Sequence, residues 1–347
     1  MSVAERAQIR RATLAARQAL FDLDQVGADE LARLYEAAAA AIRAAIGRQA
    51  DSAGNVALTE LRGTLAQVEA ILAGLGEARN GVVNGGLAQA AQLGASGVVL
   101  ESSASMRVAT EALNLTRHFV AADGLMLSDR LWRLDRGAKE AITRAVELAV
   151  IQGNGSAQAA REFLMQGKPV PAEVAARMGA GNATALGNAA AGLLTGQSDS
   201  ALYQAQRVFR TEINRAHGEA FMAGADQHPD FAGFRFLLSP NHPKHDICDL
   251  LASQNLYGLG AGVYPSRAKC PWPAHPNTLS FVEVVYSDEI SAEDKANRES
   301  PMEAIGRLAP EVRDGVLGKG KAAIYEEGLL RQGMIRSTLG AVRRRTA

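Results

Sequence analysis

Apolar residues recur at steps of three and four along most of this chain, and that spacing constrains its fold more than any other feature. Leu58, Leu61, Leu65, Val68, Leu72 and Leu75 form one such series; Leu202, Ala205, Phe209, Ile213, Ala216 and Ala220 form another. A repeat near 3.6 puts each set on one side of a helix, and that side needs a partner. Aromatic residues are only 5% of the 347, while alanine fills tracts such as Ala37 to Ala41. Alanine has the highest helix propensity, and helices faced with Ala and Leu lie close together with modest burial per residue. The length points to two or three structural units, with ample chain to bury a core.

From Val3 to about Gln49 the sequence reads as two helices, parted near Asp24 to Gly27. The Gly- and Asn-rich residues Asn80 to Gly97 read as an interruption, and Ala104 to Val120 as helix again. Ser128 or Asp129 caps a short turn holding Trp132, and Ala138, Ile142, Ala145, Val146 and Ala149 form a stripe ending at Gly153. Ser156 caps a short helix to about Met165, the Pro169-Val170-Pro171 step breaks it, and Arg177 to Gly196 reads as poorly packed helix or flexible linker. A new helix starts at Asp199 or Ser200 and ends near Gly224. There the pattern changes. Gly233 to Leu238 and Leu279 to Tyr286 read as strands, Asp246 caps a short helix through Leu251, and Tyr257 to Pro276 is loop-like. Helix and turn return from Ser291.

The fold class expected is therefore mainly α with a small α+β domain. Its parts are a helical N-terminal region (1–127), a helical region and linker (128–198), an α+β core (199–288) and a helical C-terminal extension with a basic tail (289–347). Lys plus Arg and Asp plus Glu are both 37, so no global field draws the chain to nucleic acid or an anionic membrane. The opening MSVAERAQIRR is charged where a secretory signal needs an apolar core, and no run of about 18 apolar residues occurs; a soluble cytoplasmic product is expected.

Rare polar chemistry is concentrated between Val208 and Tyr286, which holds both cysteines and every histidine except His118. His242, His245, Asp246, Cys248 and Asp249 are followed by Cys270 and His275. Two groups of thiolate and imidazole ligands are what a tetrahedral zinc site needs, with His242, His245, Cys248, Cys270 and His275 as candidates, although the spacing is not a standard one. A buried cysteine, histidines bonded to turn carbonyls, or a disulfide are alternatives. Cys248 with His275 or His245 could be nucleophile and base, but no activating context is readable. Gly258 to Gly262 lacks the helix and lysine of a phosphate loop and reads as a flexible turn. Arg210 and Glu212 point to different sides of their helix; Glu212 with Arg215, and Arg215 with Glu219, have the spacing of weak surface pairs. The last 17 residues carry Arg331, Arg336, Arg343, Arg344 and Arg345 without an acid, a local cation that could touch DNA phosphate.

In order along the chain, SDRLWRLDRGAKEAITRAVELAVIQGNGSAQAAREFL, RVFRTEINRAHGEAF, SPNHPKHDICDLLA, YGLGAGVYP, PAHPNTLSFVEVV and LAPEVRDGVLGKGKAAIYEEGLL resemble the phage head-morphogenesis family, the Mu F-like minor head proteins. The resemblance runs from about Ser128 to Leu330. Arg210, Thr211 and Glu212 match the family's Arg-Thr-Glu signature, Asp246 and Cys248 fall in the next element, and Pro273, His275 and Pro276 stand at its Pro-x-His-Pro element. It implies a compact Mu F-like core and a low-copy protein of the virion head interior. Such a protein would be made in the host cytoplasm, associate with the portal and with the major capsid or scaffold protein during procapsid assembly, and affect packaging or ejection of double-stranded DNA, with no membrane partner and no catalytic residue. Many members carry further cysteines where this chain has Leu251, Thr278 and Ser280. The alternative is a metal-dependent hydrolase or effector delivered with the DNA, with zinc as cofactor and Asp246 as base.

Overall fold

The computed structural model describes residues 1–56, 60–120, 124–151, 181–196, 199–240, 242, 244–275, 278 and 280–346, with side chains left aside at 61, 144–151 and 181. The described chain is mainly helical, with one small three-stranded antiparallel sheet, as its apolar spacing requires. No described helix is long and apolar enough to cross a membrane.

Contacts group the chain into two compact units built from discontinuous segments: Met1–Phe21, Leu87–Thr116 and Thr211–Ala347 form one, and Asp22–Gly86 with Arg117–Arg210 the other. The elements are α1 (Val3–Arg48), β1 (Asn55–Val56), α2 (Leu61–Ser96), α3 (Ser102–His118), α4 (Leu127–Ile151), β2 (Gly181–Asn182), α5 (Ala183–Thr195) and α6 (Ala201–Ala225). They continue with β3 (Phe231–Leu237), α7 (Ile247–Ser253), β4 (Val263–Tyr264) and β5 (Phe281–Tyr286). After β5 come α8 (Ala292–Ala296), α9 (Pro301–Arg307), α10 (Pro310–Leu317), α11 (Lys319–Glu326) and α12 (Leu339–Thr346).

In the second unit the core joins Tyr35, Ile42 and Ile46 of α1, Val68, Leu72 and Leu75 of α2, Ile142 of α4, and Leu186, Ala190, Ala191 and Leu194 of α5. The stripe on α2 is where periodicity puts it from Leu65 to Leu75, and that on α4 at Ala138 and Ile142; Leu58 and the side chains of Leu61, Ala145, Val146 and Ala149 lie outside what the structure describes. The break expected at Asp24 to Gly27 does not occur, because α1 runs on through it. A Cβ at Gly27 would lie 2.2 Å from the Phe209 ring, so the glycine is the seat of that ring. Asp24 meanwhile accepts a 2.7 Å bond from Arg210 Nε. A helix can carry a glycine at a cost of about 1 kcal/mol when packing at that point returns more. The interruption expected over Asn80 to Gly97 is likewise absent: Val83, Leu87, Ala90, Ala91 and Ala95 are fully buried along continuous helix, and burial outweighs the glycines.

Two other expectations are corrected here. Residues 183–195 are a packed helix capped by Asn182, whose side chain accepts from Ala185 N, so this part of Arg177 to Gly196 is neither linker nor loosely packed. The turn around Trp132 is the first part of the 25-residue α4. Arg79, 1% exposed, is held by the half-exposed Asp135 through bonds of 2.7 and 3.0 Å, a pairing with no signature in the local sequence. The cap at Ser156, the helix to Met165 and the Pro169–Pro171 break lie outside the described residues.

In the first unit, β3 is the middle strand between β4 and β5, pairing Phe234 with Val284 and Phe236 with Val282. Strand β4 was not foreseen in the loop from Tyr257 to Pro276. Phe234, Phe236, Val282 and Val284 pack with Phe221 and Met222 of α6, Cys248 and Leu251 of α7, and Trp272. Helices α9 to α12 build a further core with Leu250, around Ile305, Leu317, Ile324 and Val342. From Thr211 onward α6 is largely buried. A Cβ at Gly94 would sit 2.1 Å from His217 O, and one at Gly218 2.0 Å from Trp272 Nε1, so neighbours meet this helix at its backbone.

Candidate metal centre

Asp246 starts α7. Its carboxylate accepts from Cys248 N at 2.7 Å, while Asp249, three residues on, accepts from Asp246 N at 2.8 Å. This reciprocal cap satisfies amides that the first helical turn leaves unpaired. It also fixes three side chains on one side of the helix start. The segment before β5 supplies the rest: Cys248 Sγ is 3.2 Å from His275 Nε2 and 3.8 Å from Thr278 Oγ1. His275 Nε2 is also 3.2 Å from Asp246 Oδ2.

Both Cys248 and Asp246 thus approach the same imidazole nitrogen. A nucleophile–base–orienter relay needs its partners on opposite nitrogens of the ring. Three donors converging on one point are instead the ligand arrangement of a cation. Zn–N of about 2.0–2.1 Å and Zn–S of about 2.3 Å at tetrahedral angles separate ligand atoms by roughly 3.3–3.6 Å. The distances in this cluster fall beside that range. Asp246, Cys248 and His275 can hold a metal ion.

A second group adjoins it through the same carboxylate. His242 Nε2 is 3.0 Å from Asp249 Oδ2 and 3.8 Å from Asp246 Oδ1. His245 Nδ1 is 2.8 Å from Asp249 Oδ1. His242, Asp246 and Asp249 also meet the geometric requirement for a cation, although the cap and the two histidines already account for Asp249. Burial raises the Asp249 carboxyl, but the Asp246 amide and the two histidines outweigh it and hold the group below its usual range.

The thiols are both free and buried. Burial pushes Cys248 up to about 11; the Asp246 charge adds to the rise, while the hydroxyls of Ser280 and Thr278 oppose it. Cys270 is pushed up to about 12, by burial first, with Trp272 N opposing and the Glu219 charge adding. As metal-free thiols neither is activated as a nucleophile. Among the described residues Cys270 joins neither ligand group, and His245 reaches only Asp249. Of the five ligand candidates, then, Cys248 and His275 meet directly and His242 stands in the neighbouring group.

The Arg-Thr-Glu helix holds this centre from one side. Asn214 Nδ2 donates to Thr278 O at 2.9 Å, a tie to the segment that leads into β5. Thr211 is buried, and Glu212 and Arg215 form a 3.1 Å pair with side chains 2% and 7% exposed. The expected solvated pair is therefore interior, because α6 is central to its unit. Glu219 pairs with Arg267 instead of Arg215. Opposite, a Cβ at Gly315 of α10 would lie 2.5 Å from His245 O. Arg336, read as part of a free cationic tail, donates to Ala274 O at 3.1 Å beside His275. Arg343, Arg344 and Arg345 are exposed on α12, a helix anchored by fully buried Val342, and not on a disordered end. Gly258, Gly260 and Gly262 have positive φ, and Asn255 fastens the loop by accepting from Gly260 N and donating to Asp294 O and Asn297 O. The loop is thus tied down where a flexible turn was expected. Pro273 precedes Ala274 in the same segment; Pro276 lies outside the described residues.

In the sequence Asp249 stands in the cluster without a ligand role, and Thr278 and Ser280 stand only as places where the resembled family carries cysteine; the fold makes all three neighbours of the centre. The acid three residues after a capping Asp is the local signal for the first; for the two hydroxyls the signal is their place at the resembled family's cysteines. Comparison of the chain with protein-family models, curated proteins and solved structures finds no match.

Proposed function

We propose that this chain is a minor head protein of a tailed phage or phage-like particle, of the Mu F-like kind, and that a metal at Asp246, Cys248 and His275 fastens its α+β unit. The observation that carries this reading is the meeting of the segments that bear the resemblance. Asp246 and Cys248 from one touch His275 from another. Asn214, two residues after the Arg-Thr-Glu triplet, holds the segment that follows His275.

A buried thiolate with histidine and carboxylate partners suits zinc, whose charge would compensate the ionised sulfur. In that role Cys248, His275 and Asp246 bind the ion, and Asp249, with His242 and His245 around it, braces the helix start that presents them. Two features weigh against the hydrolase alternative. Asp246 already accepts from Cys248 N on one oxygen and faces His275 with the other, and the Cys248 thiol is fully buried.

The head role predicts that this chain, traced in purified particles, lies inside the head beside the portal, and that particles lacking it change in composition, DNA content or infectivity. Particles unchanged in all three would overturn it. The metal is tested separately. Protein purified without chelator should carry stoichiometric zinc, and zinc at 100 times its Kd should add about 2.7 kcal/mol of stability. Cys248→Ser should abolish both effects. Zinc-free protein with EDTA-insensitive stability would remove the metal and leave the head role standing.

A further inference from the structure

One small cavity in the unit that contains the sheet is lined in part by groups whose polar atoms have no hydrogen-bond partner, beside Thr13, Arg17 and Asn214, which have theirs. Its walls include His217 of α6, Trp272 from the segment before His275, and Ser280 just before β5. His217 Nε2, Trp272 Nε1 and Ser280 Oγ are all buried, and none has a partner at hydrogen-bond geometry among the described residues, although the Ser280 hydroxyl is near enough to the Cys248 thiol to act on it. Three buried orphans around one space are unusual, since nine in ten or more buried polar groups are paired. The cavity measures about 20 Å³. A water molecule needs about 10–15 Å³ counted in this way, and two to four polar partners.

We propose that this cavity is a binding site for a single long-lived water molecule, which hydrogen-bonds His217 Nε2, Trp272 Nε1 and Ser280 Oγ together. The chemistry of the three groups fits one water. An indole N–H only donates, so the water accepts from Trp272. The imidazole is neutral, because burial first and the Arg17 charge second push His217 down to about 4. Its Nε2 can then accept one water hydrogen, which leaves the other hydrogen or the second lone pair for the Ser280 hydroxyl. No bulkier ligand fits the volume. An ammonium ion would stand near the Arg17 charge and meet the indole donor.

The water would tie His217 of α6 to the segment between Trp272 and Ser280, more than fifty residues further along the chain. It would also steady Ser280, whose hydroxyl lies beside the Cys248 thiol and opposes its rise in pKa. The wall depends on glycine at 218, since a Cβ there would lie 2.0 Å from Trp272 Nε1.

The chain has two tryptophans, and exposed Trp132 is an internal contrast for buried Trp272. In the full-length protein with ¹⁵N-labelled indoles, the Trp272 indole proton should give a water cross-peak with the sign of a long-lived complex. The Trp132 proton should give only exchange or short-lived contacts, and Trp132→Phe assigns the two. A crystal structure at about 1.5 Å should place one density peak within about 2.6–3.2 Å of all three atoms. Ser280→Ala should shorten the water's residence time at least tenfold while the fold persists. The proposal is overturned if the Trp272 proton gives no long-lived water signal, if the peak is missing, or if the three groups bond directly to one another. A residence time unchanged in Ser280→Ala would overturn the assignment of Ser280.

Discussion

The two units solve the same packing problem with different materials. In the unit of Tyr35 and Leu186, the core is made mostly from Ala, Ile, Leu and Val, with Tyr35 and Phe209 the buried rings among the described residues. There the helices approach until a glycine such as Gly27 is the contact surface for a ring. The unit with the sheet fills its interior with Phe221, Phe234, Phe236, Tyr264, Trp272 and Tyr286. Large rings bury more area per residue and leave irregular gaps, and polar groups such as Asn214, His217 and Ser280 sit in or beside those gaps. An alanine-faced core is sensitive to added volume. A ring-filled core is sensitive to removed volume and to the state of its polar groups.

Each half of that contrast can be broken separately. Phe236→Ala should cost about 3–5 kcal/mol by chemical denaturation, because the sheet cannot close over the lost ring. A fall below about 2 kcal/mol would mean that the sheet relaxes around the hole. Acid should act next. His217 is held near 4 when folded and has an ordinary value of 6.5 when unfolded, so the unfolded chain takes up the extra proton between those limits. The contribution is intact above pH 6.5 and is lost as pH falls toward 4, about 3 kcal/mol in all at about 1.4 kcal/mol per pH unit. Arg17 is the charged group that adds to the depression, and His217→Gln should remove this part of the slope in a pH series of denaturation curves.

In the helical unit the sign of the volume change reverses. Gly27→Ala puts a methyl 2.2 Å from the Phe209 ring and should cost about 1–3 kcal/mol, despite alanine's better helix propensity. A stabilised variant would show that α1 and α6 can part there at no cost. The smallest effect belongs to the surface. Arg136 and Glu140 are exposed partners one helical turn apart, and Glu140→Gln should change stability by about 0.3–0.5 kcal/mol, less at high salt.

Local rules of the sequence reach as far as faces and caps. The stripes through Val68, Leu72 and Leu75, the cap at Asp246 and the two longer strands follow from period and propensity. What decided Asp24–Gly27 and Asn80–Gly97 was tertiary: a ring seated on Gly27 and a backbone crossing at Gly94 turn apparent breakers into contact points. Glu212 and Arg215 illustrate the same limit, since i,i+3 spacing gives the pairing but not whether a second layer covers it. Within the candidate centre, thiol and imidazole content marked the neighbourhood, and chain folding then selected Cys248 and His275 over Cys270. Asp246, named first for its cap and its place in a motif, becomes a candidate ligand only because His275 meets it in space.

The two oxygens of Asp246 have separate occupations. Oδ1 serves the helix by accepting from Cys248 N, and Oδ2 serves the centre by facing His275. Asparagine could keep the first task and would turn a donor toward the second; serine could cap but could not reach across; glutamate could supply charge but would shift the cap. Position 246 is therefore doubly specified, and its tolerance is the overlap of two short substitution alphabets, which contains aspartate alone.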